Sequence, residues 1–184
     1  MRDLLRPVLQ DIPATGPVGL GTVNTELGRV PAAAIAMNDT QLRRLANVGG
    51  AGTPVGMNQV RGKAALIGVA GSTNANPTAI IIGWSAAFTG ASIQRQTLGG
   101  FPLVQISFNN AAQGATQDTL AIVLSGVVFL PYTAATIYGT AAGSPNVYTS
   151  FTRTDNGATT TYSGVPVQAS PACTFGAAFE VYFR

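Results

Sequence analysis

Short apolar segments separated by turn residues predict an all-β fold for this chain of 184 residues. Beyond residue 63, runs rich in β-branched and aromatic residues recur at intervals of roughly ten residues, with Gly, Pro and Asn between them. One segment carries the start, stop and spacing signals of a helix. Together these observations predict a jelly-roll-like sandwich or barrel of about eight strands, with an extended N-terminal arm and one short helix.

Residues 1–36 are predicted to form the extended arm. Prolines and glycines interrupt this segment too often for a regular helix, at Pro7, Pro13, Gly16, Pro17, Gly19, Gly21, Gly28 and Pro31. Its start offers apolar side chains for one amphipathic turn or a docking strip: Leu4, Leu5, Val8 and Leu9. Extended arms are stable only when docked, so we expect this strip to contact another subunit. Residues 37–184 are then predicted to form a single β-sandwich domain.

The predicted helix spans residues 38–47. Asn38 or Asp39 can cap its start, an apolar face is formed by Leu42 and Leu45, and two glycines at 49–50 end it. The outer side of this helix carries Arg43 and Arg44. These two arginines are candidates for contact with a carboxylate of a neighbouring subunit or with a phosphate. Simple solvation of both side chains is the alternative.

The predicted strands follow in order, each bounded by turn residues. One long strand, or two strands bent at Gly126, is expected at 120–132. The clearest hairpin lies at 147–162, because the Asn156-Gly157 step favours the left-handed dihedrals of a tight turn. The other strands are expected at 64–70, 78–89, 91–98, 101–108, 136–140 and 174–184.

Composition argues against most catalytic chemistry. The chain has no histidine, one cysteine and 9% charged residues, whereas an average soluble domain is about 25% charged. The nucleophilic triads need an imidazole, and a zinc site would need ligands that are scarce here. We therefore expect no enzyme, no cofactor and no metal. The alternative left open is a carbohydrate-binding or hydrolytic module built from Asp118, Glu180 and Trp84. The third acid of the β region, Asp155, is accounted for by its turn.

Charge is sparse and unevenly distributed. The net charge is +3, and the positive excess lies in the first third of the chain. This excess permits a weak contact with membrane lipid or nucleic acid, although a mildly basic surface explains it equally well. Two long uncharged stretches, 64–94 and 119–152, have apolar cores too short for a membrane-spanning helix. Cys173 has no partner for an internal disulfide and is expected to be a small buried apolar residue.

Aromatic side chains are candidates for subunit contacts. Trp84 follows a glycine in a predicted strand, which favours a core or interface position over a stacking platform. Tyr148 and Tyr162 flank the predicted hairpin, and tyrosine is enriched at protein interfaces. The tyrosines have few basic neighbours, unlike the aromatic platforms of nucleic-acid-binding proteins.

An all-β domain, a Pro/Gly-rich arm and sparse charge resemble the single jelly-roll capsid proteins and small β-rich decoration proteins of bacterial viruses. Among the capsid proteins, the chain resembles the small coat proteins of icosahedral, internal-membrane phages such as those of Thermus. Its abundance of Ala, Gly and Val and its excess of arginine over lysine would suit a GC-rich host. The resemblance implies a structural protein of the virion. Its partners would be copies of itself and other capsid subunits, with no small-molecule substrate.

A second hypothesis explains the same composition by a different kind of assembly. Phage tail-tube, fibre and adhesin-like surface modules are also all-β and rich in Thr, Gly and Asn. A tail-tube protein stacks into rings, whereas a shell protein forms closed or sheet-like arrays. Both hypotheses explain the low charge as a consequence of burial against other subunits, because uncharged surfaces cost less to desolvate.

Overall fold

Two antiparallel β-sheets form the framework of the chain in the computed structural model, which describes residues 11–50, 53–73, 81–109, 119–140, 145–167 and 173–184. The described part contains twelve strands and two short α-helices, so the all-β prediction is confirmed. More strands are present than the eight expected. The reason is that several predicted segments divide at glycines or turns, and their pieces join different partners.

The smaller sheet has five strands. Its order is β4 (Ser92–Ile93), β1 (Ala64–Val69), β12 (Ala178–Phe183), β8 (Ala135–Tyr138) and β9 (Asn146–Tyr148). The strands β1 and β12 lie side by side in full register, from Ala64 opposite Phe183 to Val69 opposite Ala178. The beginning and the end of the β region are therefore joined in one sheet, which a sequence pattern cannot indicate.

The larger sheet has seven strands. Six of them follow the order β10 (Thr152–Asp155), β11 (Thr159–Gly164), β7 (Leu120–Ser125), β6 (Phe101–Asn109), β3 (Ile81–Ser85) and β2 (Gly71–Ser72), and β5 (Thr97–Leu98) also pairs with β6. This order largely follows the chain, as in a meander. A jelly roll is built from two Greek keys, and the observed pairing does not confirm that topology.

The predicted hairpin at 147–162 is correct only in its second half. Its turn is observed, with Asn156 N–H donating to Thr159 O at 3.1 Å, and β10 pairs with β11. The residues before the turn form two separate strands, because Asn146–Tyr148 pairs with β8 in the smaller sheet and only Thr152–Asp155 belongs to the hairpin. The predicted strand at 120–132 ends as β7 just before Gly126, whose φ of 84° leaves the β region.

The prediction of an extended arm is wrong for part of residues 11–36. Here α1 (Leu20–Glu26) forms one short helix, which fits between Pro17 and the positive-φ Gly28. Val23 and Leu27 lie four residues apart on its buried side. The chain thus has a second helix because a seven-residue helix does not require a long uninterrupted segment. Residues 1–10 lie outside the described part, so the docking strip of Leu4, Leu5, Val8 and Leu9 stays a prediction, as does the division of the chain at residue 36.

The helix predicted at 38–47 is confirmed as α2 (Thr40–Ala46). The Asp39 side chain caps it by accepting a hydrogen bond from the Leu42 N–H at 3.1 Å, and Asn47 ends it in the left-handed conformation. A single 3-10 turn, Met57–Val60, then leads to β1.

Three layers result from these elements. One apolar core lies between the two sheets and includes Leu66, Ile106 and Val181. A second core lies between the smaller sheet and the helices, where Leu42 and Leu45 pack with Tyr182. Side chains alternate along a strand, so β1, β8 and β12 of the smaller sheet contribute to both cores. The helical layer covers the smaller sheet and leaves the outward side of the larger sheet as the candidate site.

Candidate assembly surface

The outward side of the larger sheet consists of rows of small, uncharged side chains. Residues directly opposite each other in antiparallel strands point to the same side. The pairing therefore places one row across five strands: Ser85, Gln105, Val123, Thr161 and Thr154. A second row runs beside it: Gly83, Ser107, Ala121, Ser163 and Thr152. We call these ten residues the open face.

The open face is flat because its side chains are short. Gly83 contributes to this flatness, since a Cβ at its position would lie 2.2 Å from the Ile106 carbonyl oxygen. The only long side chain is Gln105, and its amide donates to the Ser107 hydroxyl at 2.9 Å, which keeps it close to the sheet. Five strands that each occupy about 4.8 Å, and two rows that each occupy about 7 Å along the strands, make a surface of roughly 24 Å by 14 Å.

Charged side chains are segregated away from the open face. In β10 the two charged residues lie on the core-facing side of the strand. The charged residues of the described part of the chain, all of them outside the open face, are Asp11, Glu26, Arg29, Asp39, Arg43, Arg44, Arg61, Lys63, Arg95, Arg153, Asp155, Glu180 and Arg184. None of the ten open-face residues is ionisable. Covering this face with another protein therefore requires no desolvation of a charge.

A loop after β7, on the core-facing side of the larger sheet near its β10 edge, presents exposed apolar side chains. After β7, Val127 and Phe129 are 57% and 73% exposed, while Val128 between them is buried. The loop backbone is anchored: Leu130 N–H donates to the Tyr162 hydroxyl at 2.8 Å, and that hydroxyl donates to Val128 O at 3.0 Å. The Arg153 guanidinium lies 3.6 Å from the centre of the Phe129 ring.

The edge of the larger sheet is formed by β10. Arg153 and Asp155 pair with each other there, and Arg153 Nε donates to Val128 O at 2.9 Å. The Asp155 carboxylate also accepts from the Thr160 hydroxyl at 2.7 Å. These contacts fix both charges on the core-facing side of the edge strand, opposite to Thr152 and Thr154.

A buried ion cluster joins the N-terminal segment to the sheets. Arg95 Nη1 lies 2.9 Å from an oxygen of Asp11, and Arg95 Nη2 lies 2.7 Å from Glu26 Oε1. Asp11 also accepts hydrogen bonds from the Gly99 N–H at 2.6 Å and from the Tyr132 hydroxyl. The side chains of Arg95 and Glu26 are buried, and that of Asp11 is 9% exposed. Two carboxylates share one guanidinium, so the cluster carries an excess negative charge when both are ionised.

Burial raises the pKa of Glu26 to about 7, although Arg95 and the Ala65 N–H lower it in part. Burial next to Asp11 also raises the pKa of Tyr132, so this phenol remains protonated and acts as a donor. A cavity of about 620 Å³ lies beside the cluster and is lined by Asp11, Gly99 and Tyr132 among others. In this cluster the Tyr132 hydroxyl donates to Asp11, whereas Arg95 Nε is buried without a hydrogen-bond partner among the described residues.

The two predicted interface arginines, Arg43 and Arg44, have partners within the chain. Arg43 donates to Asn38 O at 3.1 Å and to Gly50 O at 2.5 Å, which closes the two ends of α2. Arg44 lies 2.5 Å from a Glu180 oxygen and 4.1 Å from the centre of the Tyr138 ring. Both are thus engaged locally, although Arg43 stays at the surface beside a cavity of about 320 Å³.

The predicted aromatic contacts Trp84, Tyr148 and Tyr162 are buried in the core between the sheets. Trp84 is 6% exposed and Tyr148 is fully buried. This placement corrects the prediction that their rings lie at subunit contacts, and it also removes Trp84 as a stacking platform. The physical reason is that each occupies the core-facing position of its strand, whereas their small neighbours occupy the outward positions.

The acidic residues considered for a hydrolytic site are not brought together where they are described. Glu180 lies in the smaller sheet and binds Arg44 and Gln41, whereas Asp155 lies at the edge of the larger sheet. Asp118 is outside the described residues. Cys173 is buried, as expected. Within the described ranges, no group of three or more metal-ligating side chains occurs, and no helix has the length and apolar character to cross a membrane.

The open face itself was missed by sequence reasoning. Its clearest signal was the alternation in β6, where Gln105 and Ser107 alternate with apolar residues, but the strand pairing was needed to align this strand with its neighbours. Comparison of the chain with protein-family models, curated proteins and solved structures finds no match.

Proposed function

We propose that this chain is a structural capsid subunit, which assembles with copies of itself or with other capsid subunits into the icosahedral shell of a virion. The observation that carries the proposal is the open face, a flat surface of small side chains with no charge. Such a surface can be covered by another subunit without burying an unpaired ion, and backbone shape then sets the fit.

The exposed apolar loop supports the same proposal. Val127 and Phe129 are large apolar residues held outward by hydrogen bonds to the backbone of their neighbours Val128 and Leu130. Their position is therefore fixed before binding, which reduces the ordering cost of an interface. The open face has roughly half the area that one partner contributes to a standard interface. A shell subunit makes several contacts, and these together provide the stability of the array.

The test is the assembly state of the purified chain and of a variant in the open face. We expect the wild-type chain to form oligomers or arrays in sedimentation velocity runs and negative-stain images. Val123→Lys places a charge at the centre of the open face and is expected to weaken assembly at least tenfold, because a buried unpaired charge is costly. The matched control is Val30→Lys, since Val30 is 70% exposed and lies outside the open face.

Two results would overturn the proposal. One is a wild-type chain that sediments as a monomer at high concentration, forms no array and is captured by no partner subunit. The other is equal assembly by Val123→Lys and wild type. Images also separate the shell from a tail tube, since closed or sheet-like arrays indicate the former and stacked rings the latter.

A further inference from the structure

Among the described residues, β10 lies at the end of the larger sheet and pairs with another strand on only one side. It pairs on one side with β11, from Thr152 opposite Ser163 to Asp155 opposite Thr160. Its outward residues Thr152 and Thr154 are exposed, as is Asp155. An unpaired strand edge presents backbone N–H and C=O groups to any strand that can align with it.

The turn shows which backbone groups face that edge. Asn156 N–H donates to Thr159 O, so these two residues form a hydrogen-bonded pair. Such pairs alternate with non-hydrogen-bonded pairs along an antiparallel ladder. Thr154 and Thr152 therefore direct their backbone groups towards β11. The backbone N–H and C=O groups of Arg153 and Asp155 point away from the sheet.

We propose that a second copy of the chain pairs with this edge, β10 against β10, about a two-fold axis through Thr154. In this register Arg153 of one copy lies opposite Asp155 of the other, and the reverse pair lies across the axis. Both pairs are hydrogen-bonded pairs, because these are the residues whose backbone groups face outward. The six-strand path of each copy then continues into the other.

Charge selects this register over its neighbours. In an antiparallel pair, two opposed residues either both point their backbone N–H and C=O groups towards each other or both point them away. When two copies of the same strand pair, this condition is met only if the two-fold axis passes through a residue and not between two residues. An axis through Arg153 would place two arginines opposite each other, and an axis through Asp155 would do the same with two aspartates. Like charges directly opposite each other are destabilising. Only the axis through Thr154 places both charges of the strand opposite unlike partners.

The pairing also extends the open face. Thr154 points to the outward side with Thr161 and Val123. At the axis the Thr154 side chains of the two copies meet on that side, while the Arg–Asp pairs lie on the core-facing side. The inference rests on the proposed function in requiring a second copy, but it concerns the sheet edge rather than the covered face.

Disulfide trapping tests the register. Residues facing each other in a non-hydrogen-bonded pair have Cα atoms about 4.5 Å apart, within the range of a disulfide. Under mild oxidation, Thr154→Cys is therefore expected to give a covalent dimer on non-reducing gels. The matched control is Thr152→Cys in the same strand, because two copies of residue 152 would lie four residues apart, about 13 Å. Cys173 is present in both variants and buried.

We expect at least tenfold more covalent dimer from Thr154→Cys than from Thr152→Cys. Equal trapping of the two, or none from either, would overturn the inference. A charge exchange provides a second measurement. Asp155→Arg is expected to weaken dimer formation at least tenfold in sedimentation equilibrium, and adding Arg153→Asp should restore it to within about threefold by returning the unlike pairs. Failure of the double variant to restore the dimer, with both variants folded by circular dichroism, would exclude this register.

The outcomes separate this inference from the proposed function. Assembly that is sensitive to Val123→Lys, without trapping at residue 154, would exclude edge pairing and retain the shell subunit. A wild-type chain that is monomeric under all conditions and is captured by no partner subunit would exclude both.

Discussion

Glu26 makes the stability of the fold depend on pH near neutrality. Its carboxylate is buried between α1 and β1, where it binds Arg95 and accepts a hydrogen bond from the Ala65 N–H. Burial raises its pKa from 4.5 to about 7. The folded chain therefore binds the proton of Glu26 more tightly than the unfolded chain does.

The direction and size of the effect follow from this difference. A raised carboxyl pKa contributes stability that is complete below pH 4.5 and is lost as the pH rises through about 7. Each tenfold change in proton affinity corresponds to about 1.4 kcal/mol, so the loss is about 3 kcal/mol across this interval. Other groups also titrate there, and a comparison with a variant isolates Glu26.

The assay is urea-induced unfolding of wild type and Glu26→Gln at pH 4 and at pH 8. Glutamine does not titrate, so the unfolding free energy of the variant should improve relative to wild type by about 3 kcal/mol between the two pH values. Thr25→Ala is the control in the same helix, since it removes only a hydroxyl hydrogen bond to Gly21 O and should change stability equally at both pH values. A wild-type-to-variant difference that stays constant with pH would refute the reasoning.

Two further predictions concern the packing of the N-terminal third. Tyr132→Phe removes the hydroxyl that donates to Asp11. The variant should lower the unfolding free energy by about 1–3 kcal/mol in a denaturant titration, because the Asp11 carboxylate loses a donor. An unchanged unfolding midpoint would contradict the hydrogen bond. Leu42→Ala should cost about 2–5 kcal/mol by the same measurement, since Leu42 is buried between α2 and the smaller sheet. The exposed Val30→Ala should stay within about 0.5 kcal/mol of wild type, and similar losses for both would contradict the helical layer.

Local patterns were sufficient for several elements. The helix α2 was predictable because its cap, its apolar spacing and its terminating residues all lie within a dozen positions. The strand β6 was predictable from alternating residues, and so was the turn at Asn156-Gly157. The helix α1 was missed because its short length leaves little periodicity, and its burial depends on β1, which lies about forty residues further along the chain.

Long-range contacts account for the errors in the candidate site. The burial of Trp84 and Tyr148 depends on which side of each strand meets the other sheet, and composition does not specify that side. The Arg95 cluster was also missed, because Asp11, Glu26 and Arg95 are far apart in the chain and join no local motif. Arg44 finds its partner Glu180 in the last strand, for the same reason.

The sequence by itself determined the all-β class, the scarcity of charge and the alternation of side chains along β6. These are properties of composition and of neighbouring positions, so they can be recognised without knowing which strands pair. Only the tertiary structure decided that the helices cover the smaller sheet, that the larger sheet keeps an uncharged outward face, and that β10 forms its edge. Strand pairing decides these features, because each pair joins residues that are distant in the chain and whose register is set by the packing of both cores.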